Sequence, residues 1–269
     1  MFLTKKELTK IRLSTIAYFA LGVLCYLLVY YFDCPDILTY LVRLLGHICI
    51  GFGVVLALSG RYGQGTGTLI QSANKLIMQE LRPADFIRLY EEKSSCPDNV
   101  IAKPSFDTLN MMVLAYDALG DSDRALSILE QMLSFPSEKN WLIANTMKAA
   151  VLYDAGRIEE GEAIYTEIIK VKKNWYAKML IDALTRADRA MAIGDYATAE
   201  AYYEEVQTKK FPKQTPYTTL SRYFNLAKIY SMTNRIDKAR IYLDYCIENG
   251  GQTGIKTEAA EKLKELSGY

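Results

Sequence analysis

The chain has 269 residues, with 32 Lys and Arg against 31 Asp and Glu and a formal net charge of +1. That balance gives no broad basic field for nucleic acid and no acidic tail, while a 50% hydrophobic content allows a sizeable core. One His and five scattered Cys, no two in a C-x-x-C spacing, argue against zinc and against a closed disulfide framework; Cys25, Cys34, Cys49, Cys96 and Cys246 read as reduced thiols packed as small hydrophobes.

Residues 13–32 carry no charge and follow Lys5, Lys6, Lys10 and Arg12. At about 1.5 Å per residue, such a helix reaches roughly the 30 Å of a hydrocarbon core. A signal peptide begins the same way, but this run is too long for one, and Tyr30-Tyr31-Phe32 offers no small-residue cleavage site. After Asp33-Cys34-Pro35-Asp36 comes a second run, 37–58, with Pro35 suited to a first helical turn. Together they predict a transmembrane helical hairpin over 13–58. Basic residues precede the first run and follow the second as Arg61, Lys75 and Arg82, whereas the turn between them has none. The positive-inside rule then gives a two-pass integral protein of the cell membrane. Its basic N-tail (1–12), its C-terminus and everything after the hairpin face the cytosol.

Arg43 and His47 lie four apart in the second run, on one helix face. Ionisable residues at such a depth point to function by default. Three readings stand: a proton or ion relay, a polar contact to another membrane protein, or tolerance. In the last, Arg43 snorkels toward Asp36 or the headgroups and a neutral His47 hydrogen-bonds across the hairpin. Two helices supply few polar groups for a transport path. Gly46, Gly51 and Gly53, with Ala20 and Gly22 in the first run, suit close helix approach. The glycine-rich stretch 59–68 lacks the Lys of a nucleotide loop and follows a helix rather than a strand, so it reads as a flexible linker.

Beyond the linker, residues 69–251 are helix-patterned, with apolar spacing over 69–81 and a helix opened by Pro83. Four segments then look alike: Leu109, Val113, Tyr116, Gly120, Ala125 and Leu129; Ala149, Leu152, Gly156, Gly161 and Tyr165; Ala187, Ala190, Gly194, Ala199 and Tyr203; Leu226, Ala227, Tyr230, Asn234, Ala239 and Leu243. Gly120, Gly156, Gly194 and Asn234 are 36, 38 and 40 residues apart, as residues that end a helix in the left-handed conformation. A small residue follows each by five positions and lets two helices approach.

This pattern resembles the tetratricopeptide repeat family, whose unit is a helix-turn-helix of about 34 residues. The resemblance runs over 106–250, with a weaker half-unit over 69–92. The early Trp of that family is absent, with Leu109 and Tyr223 in its place in two units, and a closing Pro occurs only as Pro136. Residues 257–266, with Thr257 as N-cap, predict a polar-faced terminal cap within 252–269. The expected fold is all-α: a transmembrane hairpin, an α-solenoid of about four repeats each touching only its neighbours, and a C-terminal capping helix.

The resemblance implies a concave groove lined by the first helix of each unit. Its positions map to Asp107, Asn110, Leu114 and Asp117; Ile143, Thr146, Ala150 and Asp154; Ile181, Leu184, Asp188 and Met191; and Ser221, Phe224 and Lys228. Family members that clamp a peptide's terminal carboxylate use Lys, Arg and Asn there, and only Asn110 and Lys228 match. Either the acids merely solvate an exposed face, or the groove takes a basic, partly apolar protein or peptide segment. The second partner would be the lipid bilayer, through 13–58. No nucleic acid, small-molecule substrate, metal or cofactor is implied. The lone His lies in the hairpin, no G-x-S-x-G or H-E-x-x-H occurs, and Glu159, Glu160, Glu204 and Glu205 have ordinary solvated spacing, so no enzyme is expected. The expected function is a membrane-anchored interaction module, a scaffold or adaptor at the cytosolic face. The alternative is an accessory subunit of a membrane transport or secretion complex, with Arg43 and His47 contacting partner transmembrane helices.

Overall fold

The computed structural model describes residues 5–31, 41–42, 44–54, 66–95, 104–171, 174–208 and 214–268, and every described element is helical. The chain forms two compact units, Met1–Gln71 with Tyr90–Pro104, and Ser72–Leu89 with Ser105–Tyr269.

In the first unit α1 (Lys5–Tyr31) runs antiparallel to α2 (41–42 and 44–54). Phe19 lies against Gly53 and Gly22 against Gly46 and Ile50, and a Cβ at Gly22 would meet Ile50 Cγ1 at 2.7 Å and the Gly46 carbonyl at 3.2 Å. Gly51, in contrast, faces open space. Tyr18 stacks on Phe52 at 5.7 Å between centroids, and the Tyr26 hydroxyl lies 2.9 Å from the His47 ring. Cys25 and Cys49 are buried free thiols.

This helical pair corrects the membrane reading. Among the described residues, no helix is long and apolar enough to cross a membrane. The transmembrane hairpin therefore falls, and with it bilayer contact through 13–58, the two-pass placement with cytosolic termini, the membrane anchor of the scaffold, and the transport or secretion subunit. Arg43, the turn 33–36 and linker residues 59–65 lie outside the described residues. Residues 66–68 of the expected linker are helical.

α3 (Thr66–Ala73) continues as a π-helical turn, Asn74–Gln79, and α4 is Pro83–Ser94. Four helix pairs follow in the second unit: α5 (Phe106–Ala118) with α6 (Ser122–Met132), and α7 (Glu138–Asp154) with α8 (Ile158–Ile168). α9 (Trp175–Leu184) runs through a π turn, Thr185–Arg189, into Ala190–Ala192 and pairs with α10 (Tyr196–Thr208). α11 (Pro216–Met232) pairs with α12 (Ile236–Asn249), and α13 is Gly254–Ser267.

Local chemistry explains these boundaries. Ser105, Asp121, Ser137, Asn174 and Thr215 each accept a hydrogen bond from the backbone N–H three residues on, satisfying donors that a helix start leaves free. Gly120, Gly156, Gly194 and Asn234 have φ of 78°, 73°, 80° and 59°. After each, the N–H of Asp121, Arg157, Asp195 or Arg235 returns to the carbonyl of Tyr116, Leu152, Ala190 or Tyr230 at 2.7–2.9 Å, the 6→1 bond of a Schellman close. Nothing lies within 4 Å of the place a Cβ would take at Gly156. Gly156→Ala should therefore cost only the left-handed strain, about 1 kcal/mol, read as a lower urea midpoint with an unchanged slope. Ala125, Ala199 and Ala239 are fully buried where the helices of each pair touch, and at Gly161 a Cβ would fall 2.6 Å from the Tyr153 ring.

The neighbours-only expectation is overturned. The first pair meets the last pair and α13. The Gln252 N–H donates to the Leu81 carbonyl at 2.9 Å, and a Cβ at Gly251 would stand 2.7 Å from Leu81 Cβ. A Cβ at Gly254 would stand 2.7 Å from the Leu119 carbonyl oxygen. The Tyr217 hydroxyl reaches the Asp117 carboxylate at 3.4 Å, and the π turn before α4 packs against both α5 and α11. α13 starts after Thr253, not Thr257; the Thr253 hydroxyl donates to the Gly250 carbonyl at 2.7 Å. The first pair thus packs back on the last pair and α13, beside a partly exposed hollow at Asp154 and Lys228.

Candidate functional site

Three aspartates from three successive pairs converge on that hollow. Asp117 and Asp154 end α5 and α7, and Asp188 lies in the π turn of α9. A carboxylate at a helix C-terminus faces the negative end of the macrodipole, which disfavours its charge. Lys228 of α11 is the cation among them: its Nζ is 3.7 Å from Asp154 Oδ1 and 5.1 Å above the Phe224 ring. Water reaches this place, since the Asp154 side chain is 52% and the Lys228 side chain 28% exposed.

Charge is out of balance here. Burial, then the charge of Asp154, pushes the Asp117 carboxyl up to about 6; the Tyr217 hydrogen bond and Lys228 only partly oppose this, and Glu258 of α13 adds to it. Asp188 is also raised, by burial first and then by Asp154 and Asp117, against the pull of Lys228. Burial raises Glu258 as well. The Tyr203 and Tyr217 phenols sit well above their ordinary value, through burial and then the nearby aspartates, and so remain hydrogen-bond donors.

Neighbouring arginines are engaged elsewhere. Arg189 forks onto Glu162 at 2.7 and 3.0 Å and covers the Tyr165 ring. Arg235 forks onto Glu200 at 2.6 Å over Tyr230, and Arg186 bonds Glu205 at 2.7 Å. Bidentate pairs of this kind fix geometry as well as charge. Glu205, expected to be only solvated, is thus an inter-helix partner, whereas Glu160 pairs with Arg157 on its own helix.

The other groove positions scatter. Leu184 is 1% exposed in a core with Leu142, Ala149, Tyr153, Ile168 and Ile181. Met191 packs against the core of the third and fourth pairs. Phe224 is buried beneath Lys228. The Thr146 hydroxyl is spent on the Leu142 carbonyl at 2.7 Å. Asp107 is exposed, while Leu114, Ile143, Ala150 and Ser221 are half-buried. Asn110 Oδ1 is buried with no hydrogen-bond partner. Tyr217, Tyr203 and Glu258 were missed by the spacing argument, because only the closure brings them to the hollow. His47 lies in the other unit with Tyr26.

Among the described residues, no group of three or more His, Cys, Asp or Glu is placed to hold a metal ion. The tetratricopeptide repeat family model matches residues 220–249, the fourth pair. No curated protein and no solved structure matches the chain. The reading of the chain as a membrane-anchored member of that family is accordingly corrected to a single weak TPR-like repeat, in a helical-repeat unit without a membrane-crossing hairpin among its described residues.

Proposed function

We propose that the chain is a protein-binding module whose hollow receives a cationic side chain of a partner segment. One observation carries this reading: Asp117, Asp154 and Asp188 influence one another beside Lys228, so that carboxyl groups outnumber the cation among these described residues. A Lys or Arg side chain entering the hollow would relieve that repulsion, and charge complementarity would speed encounter and select against acidic partners. The partly buried Leu114 and Ile143 supply apolar surface for the rest of the segment.

The test is titration of the full chain with a fluorescent peptide of alternating Arg and Leu and with its Glu–Leu counterpart. The Arg peptide should bind, more weakly as salt rises, and the Glu peptide should not. Asp154→Lys, at a half-exposed site, should reduce affinity about tenfold or more, in line with the loss of a charge pair in a partly buried setting, while the helical signal is kept. Equal binding of both peptides, or an unaltered affinity in Asp154→Lys, would remove the hollow from consideration.

A further inference from the structure

We infer that the charge in the hollow sets whether the first repeat stays docked on the last, so that a cation held there keeps the ring of repeats closed. The inference rests on the proposed function only for the identity of that cation; the charge-governed seam stands apart from it.

The seam is made by Asp117 with Tyr217, by Leu119 and Gly120 with Gly254 and Glu258, and by Leu81 with Gly251 and Gln252. Two of these partners, Asp117 on α5 and Glu258 on α13, approach from opposite sides with charge of the same sign. Asp154 of α7 adds its charge to Asp117, Asp117 and Asp154 add theirs to Asp188 of α9, and Lys228 of α11 is the cation that opposes them. Tyr203 of α10 and Tyr217 face the cluster as neutral donors. Along α13 the charges of Glu261 and Lys262 oppose one another. Opening the seam returns Asp117 to water and separates it from the exposed Glu258, so ionisation favours the open arrangement. A proton or a bound cation favours the closed one. Burial of Asp117, which raises its proton affinity in the closed form, has the same sign by linkage. Coupling is reciprocal: whatever binds better to the closed form must hold it closed.

The Gln252 N–H is a direct reporter, because its acceptor, the Leu81 carbonyl, lies across the seam. Hydrogen exchange of the full chain would be followed at pH 5 and pH 8, with rates corrected for the intrinsic pH dependence of exchange. The Gln252 amide should be protected about tenfold or more strongly at pH 5, the change that one pK unit of linkage gives. The Arg157 amide, whose bond to Leu152 stays within one pair, should show no such change. Asp117→Asn and Asp188→Asn, which keep side-chain size, should flatten the response. Lys228→Met should lower Gln252 protection at pH 8 and leave it intact at pH 5. The Arg–Leu peptide at pH 8 should restore protection in the unmodified chain. A pH-insensitive Gln252 amide, or an undiminished response in both Asp→Asn variants, overturns the inference. A peptide that binds without altering the amide also overturns it and leaves the proposed function standing. A pH response with no peptide binding supports the seam and removes the cationic partner.

Discussion

Asp117→Asn and Asp188→Asn should each stabilise the protein at neutral pH. The Asp117 carboxyl moves from an ordinary 3.8 to about 6 on folding. Between those values the folded chain keeps a proton that the unfolded chain releases, so the unfolding free energy falls as pH rises through the window. Above it a deficit of about 2–3 kcal/mol persists, which the neutral amide removes. For a unit of this size that is roughly 5–10 °C in Tm. Asp188 is displaced in the same direction. The two gains should sum to less than their total, because both relieve one cluster. Thermal melts at pH 5 and pH 8 decide the matter. The unmodified chain should be the more stable at pH 5, and each variant should narrow the gap. Destabilisation by both substitutions would mean that the hollow is electrostatically satisfied as it stands.

Gly254→Ala should have the larger structural effect. Its Cβ would stand 2.7 Å from the Leu119 carbonyl oxygen, 2.8 Å from the carbonyl carbon and 3.1 Å from the Gly120 nitrogen. All three are backbone atoms, which cannot rotate aside, so α13 must move off α5. Overpacking of this kind costs about 1–3 kcal/mol and at times more. A lowered urea midpoint is expected, together with loss of protection at Gln252. Gly156→Ala should leave that amide protected, because its cost stays within one turn. An unshifted midpoint in Gly254→Ala would show that the seam has slack.

The four pairs were legible because each rests on local causes: a left-handed turn residue, a small residue five positions on, and a polar cap before most of the helices. The same spacing sets Asp117, Asp154 and Asp188 on the first helices of their pairs. Leu184, expected beside Asp188, is buried with Leu142 and Ile181; the backbone from Thr185 to Arg189 is π-helical, and the widened turn changes which residues share a face. Tyr217 and Glu258 belong to the hollow through contacts a hundred residues or more from Asp117 in sequence, which no periodicity encodes. The N-terminal runs misled for a different cause. Counting apolar residues over 13–32 and 37–58 measures composition, whereas crossing a bilayer needs that length in one continuous apolar helix, a condition no described helix meets. The glycines did report the close approach of α1 and α2 correctly at Gly22, Gly46 and Gly53, with Gly51 the exception.

The bond from Gln252 to Leu81 also bears on how this architecture can change over generations. Open solenoids grow and shrink by whole units, since an added unit only lengthens the stack. Here a duplicated pair would insert two helix layers, each about 8–10 Å thick, between ends that must touch. Leu81 and Gln252 would be driven apart, and the carboxylates would lose their common centre. A fifth pair would therefore cost the contacts that join Leu81 to Gln252, a penalty an open stack does not carry.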